Sequence, residues 1–112
     1  PAPDALNELW RFDAAGLRAQ GASRILFTNG LADGWSVGGF LDDVDPAREL
    51  FALNMPNGAH HSDLRHTRPC PAPDDTEDVL EVRRRAAELM GGWLQSVRRD
   101  TPHDTPRGRA HA

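Results

Sequence analysis

Leu50-Phe51-Ala52-Leu53-Asn54-Met55 is a nearly unbroken apolar run that Pro56-Asn57-Gly58 cuts off. It has the length of a strand, and its lack of apolar/polar alternation is what a strand covered on both faces carries. A second short run, Arg24-Ile25-Leu26-Phe27-Thr28, precedes it and stops at Asn29-Gly30, a strong turn signal. Two buried strands of this kind belong to an α/β protein with a parallel sheet.

Between the strands, residues 29–45 hold four glycines and several aspartates with no sustained period, which predicts a long loop. One helical turn is expected near Pro46-Ala47-Arg48-Glu49. Downstream, Val79, Val82, Ala86, Leu89, Met90, Trp93 and Val97 recur at three- and four-residue intervals. That spacing predicts an amphipathic helix ending near Arg98-Arg99, capped by Asp74 or Asp75, with Arg83-Arg84-Arg85 on its solvated face. Upstream, Leu6, Leu9 and Trp10 suggest a helical stripe within residues 4–20, which Gly16 and Gly21 would end. The proline- and histidine-containing tail from Thr101 to Ala112 has no apolar anchor and is read as disordered. Residues 1–100 then form the folding unit and 101–112 the tail.

Two strands and one or two helices are half of a doubly wound arrangement and cannot cover both faces of a sheet. The rest of the sheet is expected from sequence outside this chain. The apolar helix stripe and the strand edges would otherwise be exposed.

Composition narrows the function. The chain has 112 residues and a net charge of −4, with 17 acidic residues against 13 basic ones, all arginine. Nothing in that balance favours a nucleic-acid partner. No apolar run approaches the ~20 residues that cross a bilayer, and Pro1-Ala2-Pro3-Asp4 does not read as a signal peptide, so any targeting signal is expected upstream. Cys70, the sole cysteine, is a plain loop thiol or a partner for a cysteine elsewhere.

Catalytic groups of parallel sheets sit just beyond the carboxyl ends of strands. Asp33 lies five residues after Thr28, and His60 five residues after Met55. A carboxylate that accepts the imidazole Nδ1 proton fixes the tautomer and leaves Nε2 to take a proton from a serine. The residues alone leave a plainer reading open, in which Asp33 is a turn residue and His60-His61 a solvated pair.

The surrounding residues form two blocks, Phe27-Thr28-Asn29-Gly30-Leu31-Ala32-Asp33-Gly34-Trp35-Ser36-Val37-Gly38-Gly39 and Gly58-Ala59-His60-His61-Ser62-Asp63-Leu64-Arg65. They resemble F-S-N-G-x-x-D-P-W-x-x-G-G and G-A-H-H-x-D-L-R of the serine carboxypeptidase family that contains lysosomal Pro-Xaa carboxypeptidase and dipeptidyl peptidase II. The resemblance runs from about Ser23 to Val97 and includes a final helix with Val82, Arg83, Arg84, Met90 and Trp93. It implies the C-terminal part of an α/β-hydrolase fold, with Asp33 as the triad aspartate and His60 as the triad histidine. It also implies a peptide substrate, either cleaved beside proline or shortened by an N-terminal dipeptide, and a lysosomal, vacuolar or secreted compartment. Gly34 departs from the family's proline, residues 67–74 look expanded, and residues 1–20 match poorly.

The order serine, aspartate, histidine in α/β-hydrolases puts the nucleophile before this chain. Gly34-Trp35-Ser36-Val37-Gly38 fits G-x-S-x-G formally, yet an elbow serine ends a strand and starts a helix, which Ser36 does not. His61 is expected near the substrate or in a structural role, and Trp35 either under Asp33, the favoured placement, or lining the substrate pocket. Asp63 and Arg65 are expected to hold the loop. No cofactor is implied. A rival reading puts zinc on His60, His61, Asp63, His66 and Cys70, but their spacing fits no zinc motif and no metal site is assigned. The alternative from another class is a truncated, non-enzymatic interaction module, since a base without a serine cannot run acyl transfer.

Overall fold

The computed structural model describes residues 5–65 and 71–101. In chain order these form α1 (Ala5–Trp10), α2 (Ala14–Ala19), β1 (Ile25–Gly30), β2 (Leu50–Met55) and α3 (Glu77–Asp100), with 3-10 turns at Gly34–Gly38 and Pro46–Arg48. The helical stripe expected in residues 4–20 is two short helices. Asp13 separates them, because its side chain accepts the Gly16 N–H at 2.7 Å and so starts α2 afresh. His66, Cys70 and residues 102–112 lie outside the described residues, and with them the readings of the thiol and of the tail.

β1 and β2 pair in parallel, in a register from Ile25↔Leu50 to Gly30↔Met55. Asn29-Gly30 is therefore strand, where the sequence predicted a turn. The correction has a physical source: Asn29 pairs in register with Asn54, and the ladder carries the dipeptide to the end of the sheet. β2 matches its expected bounds.

α3 packs on the sheet at one end. Val79 and Val82 form a buried cluster with Met55, and Leu53 packs against it. Side chains of this size contribute roughly 1.5–3 kcal/mol each when fully buried. Farther along α3 the stripe opens to solvent: Met90, Leu94 and Val97 are 48%, 62% and 52% exposed. The inner residues of β2 are likewise only half-buried, short of the two-sided covering expected for them, since α3 is the one helix with an extended contact on this strand among the described residues.

Thr76, not Asp74 or Asp75, occupies the N-cap of α3. Asp75 is engaged elsewhere: its carboxylate accepts from Arg83 Nη1 at 2.6 Å and from the Ala72 N–H at 2.9 Å.

The two sheet edges differ. In the observed register the N–H and C=O of Leu50, Ala52 and Asn54 point away from β1. Leu50 bonds through both groups to residues 44 and 45, and the Ala52 N–H donates to Asp43 Oδ1 at 2.8 Å. On β1 the outward groups are those of Leu26, Thr28 and Gly30. Among the described residues the Gly30 carbonyl accepts the Asp33 N–H at 3.0 Å, and no backbone group pairs with those of Leu26 and Thr28.

Candidate active site

Gly30 brings the two strand-end loops together. A Cβ there would stand 2.3 Å from the Ala59 carbonyl oxygen and 2.7 Å from that of Gly58, distances real side chains do not reach. With glycine in place, the Leu31 N–H donates to the Met55 carbonyl at 2.9 Å and the Ala32 N–H to the Gly58 carbonyl at 3.0 Å. The Asp33 and His60 loops are thus laced to each other directly above the sheet.

Asp33 caps the 3-10 turn Gly34–Gly38, its Oδ1 accepting the Trp35 N–H at 3.1 Å. Its other oxygen, Oδ2, lies 2.5 Å from His60 Nδ1. The Trp35 amide first, and the His60 ring second, hold the Asp33 carboxyl below its ordinary value despite partial desolvation. A carboxylate held ionised against Nδ1 selects the Nδ1–H tautomer and leaves Nε2 free. The exposures suit that division, with the Asp33 side chain 16% accessible and that of His60 63%.

His61 takes a left-handed backbone conformation, φ 58°. Its ring meets that of His60 edge to face, centroids 3.9 Å apart. A cleft of about 320 Å³ opens beside the pair, lined by Thr28, Asn29, Gly30, Asp33, Trp35, Ser36, His60, His61, Asp63 and Leu64. Trp35 is 84% exposed and lines this cleft, so the packed position favoured for it from sequence is not the one it takes. Its N–H belongs to the Asp33 cap, and the capped turn carries the indole outward.

Ser36 stands inside the 3-10 turn, its N–H donating to the Asp33 carbonyl at 3.0 Å. It neither ends a strand nor begins an α-helix. Arg65 forms ion pairs with Asp74 at 3.2 Å and Asp75 at 3.6 Å, while Asp63 offers its backbone carbonyl to Arg83. Among the described residues no three His, Cys, Asp or Glu side chains converge to hold a metal ion.

Three supporting residues were not singled out from the sequence. Asn29, buried, donates through Nδ2 to the Phe40 carbonyl at 2.7 Å and to Asn54 Oδ1 at 3.0 Å; Asn54 donates to the Leu41 carbonyl at 2.7 Å. The signal available was an asparagine at the fifth position of each apolar strand, a polar group that must find partners once buried. The third is Arg83, which was assigned to a solvated helix face. Its side chain is only 22% exposed, and it donates to the carbonyls of Ser62 at 2.8 Å and Asp63 at 3.0 Å as well as to Asp75. The Arg83 guanidinium, followed by the Ala72 amide, holds the Asp75 carboxyl below its ordinary value.

Comparison with known proteins finds relatives of this chain. A Caenorhabditis elegans protein named as a serine protease is 32% identical over 92 residues, which are 81% of this chain and 15% of the relative. Prolyl carboxy peptidase like protein 5 of the same organism is 34% identical over 80 residues, 71% of this chain and 15% of the relative. Lysosomal Pro-X carboxypeptidase of Bos taurus is 44% identical over 72 residues, 64% of this chain and 13% of the relative. The chain spans at most about 15% of the length of these relatives. No family model matches it, and no solved structure matches it.

Proposed function

Because the chain belongs to the family of Pro-X carboxypeptidases and prolyl carboxypeptidase-like proteins, we propose that it is the segment of a serine exopeptidase that supplies the triad aspartate and histidine. The observation that carries this reading is the 2.5 Å approach of His60 Nδ1 to an Asp33 carboxylate, on loops that leave the carboxyl ends of adjacent parallel strands. His60 is the general base that takes the serine proton and the general acid that returns it to the leaving amine. Asp33 orients the ring and stabilises the imidazolium. The serine and the oxyanion hole come from sequence that precedes this segment in the whole protein.

Two features support an α/β-hydrolase frame completed by that other sequence. The outward edge of β1 is open at Leu26 and Thr28, while that of β2 is covered at Leu50 and the Ala52 N–H by residues 43–45, so β1 is the freer side on which a further strand can add. The exposed stripe of Met90, Leu94 and Val97 offers an apolar surface for a second layer. The substrate is a peptide cleaved beside proline, with removal of an N-terminal dipeptide as the related alternative within the resemblance. His61 and Trp35, on the cleft, contact it. The relatives named lysosomal support a lysosomal compartment.

The test is the reading frame itself. The sequence preceding Pro1 is expected to encode a strand–G-x-S-x-G–helix segment, and the product containing it to hydrolyse prolyl peptides. In that product Asp33→Asn is expected to lower kcat by about 10⁴, the scale on which a triad loses its correct tautomer. A start codon with no such segment would instead favour a stand-alone, non-enzymatic module.

A further inference from the structure

His60 sits midway along a loop, and loops do not by themselves hold an imidazole within hydrogen-bond reach of a carboxylate. Helix α3 touches this loop on both sides of His60. Before it, the Asn57 N–H donates to Asp78 Oδ2 at 2.7 Å. After it, the Arg83 guanidinium gathers the carbonyls of Ser62, Asp63 and, at 3.4 Å, Arg65. Asp78 and Arg83 are five residues apart on the helix, so one rigid element supplies an acceptor to one side of the loop and a fork of donors to the other.

Several points separate Arg83 from an ordinary helix arginine. Its neighbours Arg84 and Arg85 are half-exposed and pair with the helix's own Glu81 and Glu88. Arg83 pairs with Asp75, whose side chain is 1% exposed, and aims its remaining donors at loop backbone. Three carbonyls converging on one point repel one another, and a guanidinium is the side chain whose planar fork can satisfy them together with a carboxylate. The loop also contains the left-handed His61, a conformation that persists where its surroundings over-determine it.

From this we infer that Arg83 is a positioning residue for His60: it acts through the carbonyls of Ser62, Asp63 and Arg65 to hold the loop at the height where the imidazole meets Asp33. The inference rests on the reading of Asp33 and His60 as a functional pair. Arg83 touches neither substrate nor the reacting atoms.

The experiment is NMR of the whole protein that contains this segment, with ¹⁵N-labelled histidine, following the proton on His60 Nδ1. A ring hydrogen-bonded to a carboxylate gives a far-downfield, slowly exchanging signal. In the unaltered protein this signal is expected, and Asp33→Asn is expected to abolish it. In Arg83→Gln the signal is expected to vanish, or its exchange with solvent to quicken about tenfold, the factor set by one hydrogen bond of ordinary strength. The far-ultraviolet circular dichroism should be retained, so that loss of the signal is not loss of the fold. Arg84→Gln serves as the matched control and should leave the signal intact.

Arg83→Lys keeps the charge and the aliphatic stem but not the fork, so it should fold and restore the signal only in part. If Arg83→Gln does not fold, Arg83→Lys decides in the same way. A wild-type signal in either Arg83 variant, with Asp33→Asn still abolishing it, overturns the role of Arg83 and leaves the Asp33–His60 pair standing. No signal in the unaltered, folded whole protein overturns the pair, and the role of Arg83 with it.

Discussion

The loop that carries Asp33 and the loop that carries His60 meet at one point but are held in opposite ways. The Asp33 loop is secured from beneath by the strands it connects. Asn29 and Asn54 reach up to the carbonyls of Phe40 and Leu41, and Asp33 caps its own turn. The His60 loop is secured from the side by a helix that comes later in the chain, through Asp78 and Arg83. Local chemistry builds the first, tertiary packing the second. Changes to the helix or its seat should therefore disturb His60 more than Asp33, and changes to the strand asparagines the reverse.

The largest effect is expected where α3 rests on the sheet. Met55 is 1% exposed, belongs to the cluster with Val79 and Val82, and lies under Gly58. Met55→Ala should cost about 2–5 kcal/mol in urea unfolding, and amide exchange should rise in residues 56–65 before it rises in residues 31–43. Equal loosening of the two loops would remove the distinction between them.

Gly30→Ala tests their meeting point. The new methyl would collide with backbone rather than with a flexible side chain, so a loss of about 1–3 kcal/mol is expected from overpacking, together with separation of Asp33 and His60. Denaturant titration gives the first and the His60 Nδ1 proton signal the second.

Asn29→Ala is expected to be milder, about 1–2 kcal/mol, because it removes one buried amide and leaves the Phe40 carbonyl without its donor. Amide exchange should rise in residues 38–43 while the Arg83 contacts persist. Exchange that rises first in the His60 loop would reverse the comparison.

Acid should weaken both loops, through different groups. The carboxyls of Asp33 and Asp75 are held below their ordinary value of 3.8. A depressed folded-state value stabilises fully above the ordinary value and is lost as pH falls through the depressed one. The urea midpoint is thus expected to change little from these two groups above 3.8 and to fall below it. Asp75→Asn should flatten that fall without altering the Asp33 turn.

The contrast also explains what the sequence revealed. β2 is readable to the residue because an apolar hexamer bounded by Pro-Asn-Gly has few other meanings. That Asp33 and His60 meet is readable because both follow the carboxyl ends of neighbouring parallel strands, where the loops come together. Asn29-Gly30 misleads because the dipeptide signals a turn locally, whereas pairing with Asn54-Met55 keeps it in the sheet. Arg83 misleads for a similar reason. Three successive arginines look alike until the helix is seated, and only the place of Arg83, four residues after Val79 and next to Val82, hints that it flanks the buried stripe. Asp75 reads as a cap because its partner lies on the following helix, eight residues away.

On the proposed reading, this segment holds the base and its orienter while the nucleophile lies in other sequence. An active-serine phosphonate probe tests that most directly, applied to the 112-residue chain and to the product of the longer reading frame. The chain is expected to stay unlabelled and the longer product to be labelled on a serine that precedes residue 1. A covalent adduct on Ser36, lost in His60→Ala, would contradict it.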